Sequence, residues 1–207
     1  FLDINPNIKL LVTSNVKLSK DVDIYWNSLN PTKRATFNGR KLTNTTFKNI
    51  HFVKHLTKKD YEYYSTKAGF RIQPSLIEGY GHTVNEGRCN KSVTLTVNHP
   101  PMNELITDTK CLIDVQKTKP SYELFKKFRN LYTYIYKGNA KYAMFDSKSF
   151  IQKFTTLLNT PTKQLIKIAN KQHMSYKKDT SYFKKSINEL FNTVKGSSDL
   201  KDNGLHK

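Results

Sequence analysis

His82, Glu86 and Arg88 fall within one short window and together make an acid–base trio of the kind that RNA cleavage uses. Such a combination also arises often by chance. His51 and His55 stand four apart, a spacing that places two imidazoles on one helix face as metal ligands, but no third ligand or glutamate supports them. They are expected to be a solvated or RNA-facing pair. Cys89 and Cys111 belong to no CxxC or Cys/His pattern, so two free thiols are expected rather than a zinc site. A different chemistry is offered by the loop after residue 130. Gly138, flanked by Lys137 and Lys141, lets backbone amides and ammonium groups approach phosphates, while Tyr132, Tyr134 and Tyr136 can stack on exposed bases. The same alternation of tyrosines marks a strand with one buried face.

The whole chain shares the sign of that loop. Thirty-five Lys and Arg against sixteen Asp and Glu give a formal charge of +19 on 207 residues. A polyanion, nucleic acid before any other, is therefore the expected partner. Charge of this size defines a partner class and leaves the activity open, since a basic toxin or enzyme would share it. Hydrophobic residues at 37% and aromatics at 12% suffice for one domain or two small ones. The abundance of Tyr, Phe, Asn, Lys and Thr reads as the bias of an AT-rich genome, pointing to an organelle, a parasite, a plasmid or a virus. No run approaches eighteen apolar residues, and Phe1-Leu2-Asp3 lacks the regions of a signal peptide. A soluble chain, processed or truncated at its start, is expected.

The elements that must position these groups are read from periodicity. Residues 8–18 and 21–29 alternate as half-buried strands, and 33–42 forms a third run after Pro31, together predicting a small antiparallel sheet. Phe47, Ile50, Phe52, Val53 and Leu56 keep helical spacing, and Thr57 caps a second helical turn closed by Gly69. Residues 70–77 are strand-like, Gly79-Tyr80-Gly81 permits a tight bend in a hairpin-like run, and Lys91–Val97 alternates before His99-Pro100-Pro101. Lys110–Val115 reads as a strand. A helix follows from Thr118 or Ser121, with Tyr122, Leu124, Phe125 and Phe128 inward and Lys126, Lys127 and Arg129 outward. Three amphipathic segments then appear around Phe150–Leu158, Leu165–Ala169 and Phe183–Phe191, with lysines scattered over their polar faces, before a polar and mobile tail at 196–207.

The order Gly69-Phe70, Gly79-Tyr80, Val93-Thr94-Leu95-Thr96-Val97, His99-Pro100, Thr109 through Val115, Phe128-Arg129 and Tyr136-Lys137-Gly138 resembles the second domain of the sixth large-subunit ribosomal protein family. The resemblance covers residues 69–142. It implies an α+β fold of two small antiparallel-sheet-plus-helix domains, 1–69 and 70–143, with 144–207 a helical extension and polar tail. It further implies binding to large-subunit ribosomal RNA near the factor-binding region, with Arg88, Lys91, His99, Lys126, Lys127, Arg129, Tyr136, Lys137, Gly138 and Lys141 at the RNA and the extension against neighbouring ribosomal proteins. Because that extension has no counterpart in the short bacterial form, the resemblance suggests a divergent mitochondrial member, with no catalytic residue, cofactor or metal.

The competing class is a basic secreted or plasmid-encoded RNA-targeting toxin. Residues 51–75, HFVKHLTKKDYEYYSTKAGFRIQPS, faintly resemble the opening of ADP-ribosyltransferase toxins, and the His82, Glu86, Arg88 trio would serve a ribonuclease. No catalytic glutamate motif accompanies either. A nucleic-acid-packaging protein would share the charge without requiring the strand–helix order of residues 69–142.

Overall fold

The computed structural model describes residues 10–13, 50–53, 56–121 and 141–202. The chain divides into two compact units, Phe1–Tyr64 and Ser65–Lys207. The described residues 144–202, expected as a helical extension, fall within the second of these units.

In the first unit β1 (Leu10–Thr13) pairs with β2 (Ile50–Val53) in parallel, Leu10 opposite Ile50. Of the helix expected across Phe47–Leu56, residues 50–53 form a strand instead, while 47–49 and 54–55 lie outside the described residues. Ile50, Phe52 and Val53 are β-branched or aromatic, and a paired strand suits them as well as a helix face does. The runs 21–29 and 33–42 lie outside the described residues. Helix α1 (Lys58–Lys67) starts as its sequence indicates: Thr57 Oγ1 accepts from the Asp60 amide at 3.1 Å and donates to the Asp60 carboxylate at 2.7 Å.

The second unit is built on a parallel sheet of order β3 (Phe70–Gln73), β4 (Val93–Val97) and β5 (Leu112–Ile113). This corrects the antiparallel arrangement expected from the sequence. The run read as a hairpin contains instead the crossover helix α2 (His82–Cys89), which is what a parallel pair requires between its strands. Gly81 enters that helix at φ 72°, and a Cβ there would lie 2.7 Å from Leu105 Cδ1. Lys91 ends it at φ 57°, with Lys91 N–H donating to Arg88 C=O and Ser92 N–H to Gly87 C=O, a Schellman closure with lysine at the glycine position.

All five residues of β4 are buried, because a central parallel strand has both faces covered. The registers Phe70 opposite Val93 and Val97 opposite Ile113 put Phe70, Ile72, Val93, Leu95, Val97 and Ile113 on one face, with Arg71, Gln73, Thr94, Thr96 and Leu112 on the other. Helix α4 (Ser147–Leu158) covers the apolar face, Phe154 meeting Phe70 edge-on at 5.7 Å between ring centroids. Helix α2 covers the polar face so closely that a Cβ on Gly87 would collide with Thr94 Oγ1. The buried hydroxyls there are satisfied within the backbone, Thr94 by Ser92 C=O and Thr96 by Gln73 C=O.

Between β4 and β5 lie the short helix α3 (Met102–Leu105), after a cis Pro100–Pro101 bond, and a 3-10 turn at Thr109–Cys111. The strand expected over Lys110–Val115 is therefore only two residues long. After it, β6 (Lys117–Pro120) and β7 (Lys141–Met144) form an antiparallel pair, Pro120 opposite Lys141. Thr118 belongs to β6, and Ser121 is the first helical residue; the rest of the expected helix lies outside the described residues.

Asp146 caps α4, its carboxylate accepting from the Ser149 amide at 2.7 Å. That bond, aided by Gln116, holds its carboxyl below the ordinary range. After Pro161 one helix, α5, runs without interruption through Thr162–Asp202, merging two segments expected as separate and including residues 196–202 of the expected tail. At 41 residues it is about 60 Å long.

Helix α5 is held mainly through its first half. Ile168 and Ala169 are buried, and Gln172 reaches the edge of β4 where β5 has not yet begun. Its Oε1 accepts from Thr94 N–H at 2.9 Å and its Nε2 donates to Thr94 C=O at 3.3 Å, so one side-chain amide takes the place of a strand neighbour. Beyond this point α5 docks on the end of α2. Phe183, Leu190, Phe191 and Val194, farther along, are exposed.

Candidate nucleic-acid interface

Arg88 is expected at the RNA, and among the described residues it is the largest fully buried side chain. Its Nη1 donates to Asn85 Oδ1 at 2.6 Å and its Nη2 to Ser175 Oγ at 3.0 Å and to the Asp179 carboxylate. The guanidinium also lies 5.9 Å from the Tyr176 ring centroid, and His173 Nδ1 donates to Arg88 C=O at 3.1 Å. Arg88 is therefore the peg that fixes α2 to α5. Glu86 is ion-paired with Arg71, and His82 is exposed beside Tyr80 at the opposite end of α2. The acid–base trio is thus not brought together.

Lys91 is exposed at the turn after α2, and Lys141 is exposed at the start of β7. His99 is half-buried, its Nδ1 2.8 Å from Pro100 C=O. Lys126, Lys127, Arg129, Tyr136, Lys137 and Gly138 lie outside the described residues, as does His55, while His51 stands in β2. Among the described residues no cluster of three or more His, Cys, Asp or Glu could hold a metal, and no helix is long and apolar enough to cross a membrane.

Both cysteines are free, Cys89 exposed and Cys111 buried. Burial first, and the neighbouring Asp108 second, push the Cys111 thiol from about 9 up to about 12. A thiol-reactive dye at pH 8 is expected to label one site per folded molecule, Cys89, and a second only on unfolding. A raised thiol pKa favours folding below the unfolded value. Stability is therefore expected to fall as pH rises from about 9 towards 12 and to fall less in Cys111→Ala, as melts across that window would show. Equal labelling of both thiols in the folded chain would contradict this burial.

Among the described residues a large share of the positive charge lies on α5. Lys163, Lys167, Lys171, Lys177, Lys178, Lys184 and Lys185 are all exposed. At 3.6 residues per turn these seven fall within an arc of about 140° and run for about 33 Å along the helix. The arc is opposite the stripe of Ile168, Ala169, Gln172, Tyr176 and Asp179 that packs on the sheet and α2. Among the described residues Glu189, 3.7 Å from Lys185, is the only carboxylate ion-paired with any of them, while Asp179 faces away to Arg88. The result is a nearly uncompensated cationic ridge on a rigid rod. The signal was present in the sequence as lysines at helical spacing, but it reads as scatter until 162–202 is taken as a single helix.

Comparison with known proteins brings no relative forward: no family model matches the chain, and neither a curated protein nor a solved structure does.

Proposed function

We propose that this chain is a structural RNA-binding protein that grips its RNA through phosphate contacts. The observation that carries this reading is the α5 ridge: seven exposed lysines share one face, and among the described residues a single ion-paired carboxylate touches them. Lysines so placed repel one another unless phosphates lie among them, and releasing counterions from those phosphates supplies the binding free energy.

Within this reading the chain is a constituent of the large ribosomal subunit, in a mitochondrion, bound to large-subunit ribosomal RNA near the factor-binding region. The support for that placement is the motif order of residues 69–142 and the base composition. The sheet adds none, since β3–β4–β5 is parallel where the family's sheets are antiparallel.

Filter binding of the full chain to a structured ribosomal RNA fragment across a salt series tests the RNA reading. With every ridge lysine on a phosphate, log K is expected to fall with log salt at a slope of about −6. The double variant Lys171→Ala/Lys178→Ala is expected to flatten that slope by about two, with an unchanged melting profile. Lys137→Ala/Lys141→Ala serves as the comparison: a loss confined to this pair would move the interface to the loop. Co-sedimentation with isolated large subunits tests the ribosomal placement separately.

A further inference from the structure

The ridge has an internal pattern that bears on the form of the nucleic acid. On a helical projection Lys167, Lys171, Lys178 and Lys185 fall in one row, while Lys177 and Lys184 fall in another about 100° away around the axis. From residue 167 onward a strip of Asn170, Met174, Ser181 and Asn188, uncharged and without a ring, runs between the rows; Lys163, near the helix start, lies on the line of that strip. The exposed aromatic side chains that flank this surface, Tyr182 and Phe191, lie on the outer sides of the two rows and not between them. The rows therefore ride on opposite shoulders of a rod about 10 Å across.

A single strand offers one phosphate row and unstacked bases. Proteins that hold it pair a cationic track with aromatic platforms for those bases. This ridge has no such platform between its rows. A duplex offers two phosphate rows separated by a groove, and in A-form RNA the shallow minor groove is recognised by shape and by backbone contacts. Two lysine rows on either side of a neutral strip match two phosphate rows on either side of a groove. The uncharged Asn170, Ser181 and Asn188 then face the groove floor, where their side chains can hydrogen-bond 2′-hydroxyls.

On this pattern, and resting on the RNA-binding reading above, we propose that α5 lies along a groove of double-stranded RNA and bridges its two strands, Lys177 and Lys184 on one and Lys167, Lys171, Lys178 and Lys185 on the other. Recognition is of duplex shape and not of base sequence.

The test is competition binding of the full chain with three probes: a mixed-sequence RNA duplex of 20 base pairs, one of its strands alone, and the matching DNA duplex, at equal phosphate concentration. The RNA duplex is expected to bind at least tenfold more tightly than the single strand and to show little sequence preference. Lys177→Ala/Lys184→Ala is expected to weaken duplex binding at least as much as Lys171→Ala/Lys178→Ala does, because each double removes anchors on a different strand. The same Lys177/Lys184 double should barely affect the single strand. Circular dichroism melts confirm that both variants stay folded. Equal affinity for duplex and single strand, or indifference of duplex binding to Lys177 and Lys184, overturns the bridging geometry and leaves the RNA-binding reading in place. Equal affinity for the DNA duplex overturns the choice of RNA. Failure to bind all three probes overturns both readings.

Discussion

Replacing Asp179 with alanine is expected to destabilise the second unit by about 2–3 kcal/mol, somewhat below the cost of breaking a fully buried ion pair because half of this carboxylate remains in water. The Arg88 side chain is 1% exposed and the Asp179 side chain 53%. Removing Asp179 thus strands an enclosed cation, whereas removing Arg88 strands only a carboxylate that water can reach. Asn85 and Ser175 still accept from the guanidinium, but neither carries charge, and Arg88 Nε already lacks a partner. The melting temperature is expected to fall by about 5–10 °C in a unit of this size. Arg88→Met, which fills much of the same volume without charge, is expected to cost less. Combined with Asp179→Ala it should recover part of the loss, since the stranded cation is gone. A double variant less stable than Asp179→Ala alone would show that the pair contributes through packing and not through charge.

This ion pair also marks the limit of what the sequence discloses. Arg88 stands in a basic, turn-rich stretch, and residue type and local charge both place it at the surface. Its partner is 91 positions away on a helix whose continuity no local signal announces. Burial of a long cation is a tertiary event, and neither periodicity nor spacing reports it.

Other elements were legible to the degree that local chemistry determines them. The α1 start was readable because Thr57 and Asp60 satisfy each other within one turn. The β4 strand is readable from Val93-Thr94-Leu95-Thr96-Val97, although such alternation is by itself the pattern of a half-buried strand. Both faces are buried, and the threonines are there because small hydroxyl side chains let Gly87 of α2 approach the sheet. Strand direction was misread for a related reason. Helix α2 is short and polar, so its sequence resembles a turn, and only the parallel register of β3 with β4 reveals it as a crossover. The α5 ridge was legible in principle. Its lysines have helical spacing over residues 163–185, but that common phase is visible only when the two amphipathic segments are joined in one helix.

The second large effect is expected at Gln172. Leucine there keeps nearly the same volume and supplies no hydrogen bond, leaving both Thr94 N–H and Thr94 C=O enclosed without partners. At about 1–3 kcal/mol for each orphaned group, offset in part by the added apolar burial, the net loss is expected to be about 2–4 kcal/mol. Hydrogen exchange locates the effect. The Thr94 amide, which donates to Gln172 at 2.9 Å, should lose protection, while the Val93 amide, which donates to Gly69 C=O at 2.9 Å on the other side of β4, should keep it under conditions where the unit stays folded. Gln172→Glu gives a finer test. A protonated carboxyl can donate to Thr94 C=O and accept from Thr94 N–H as the amide does, but a carboxylate can only accept. Burial at this position, where Gln172 is 5% exposed, raises the folded-state pKa of the introduced acid. Its contribution is then fully present below the unfolded pKa and lost as pH rises through the folded one. The Gln172→Glu variant should therefore approach wild-type stability in mild acid and fall away towards neutrality, a profile that Gln172→Leu should lack. Parallel pH profiles for the two variants would mean that this side chain only fills space at the edge of β4.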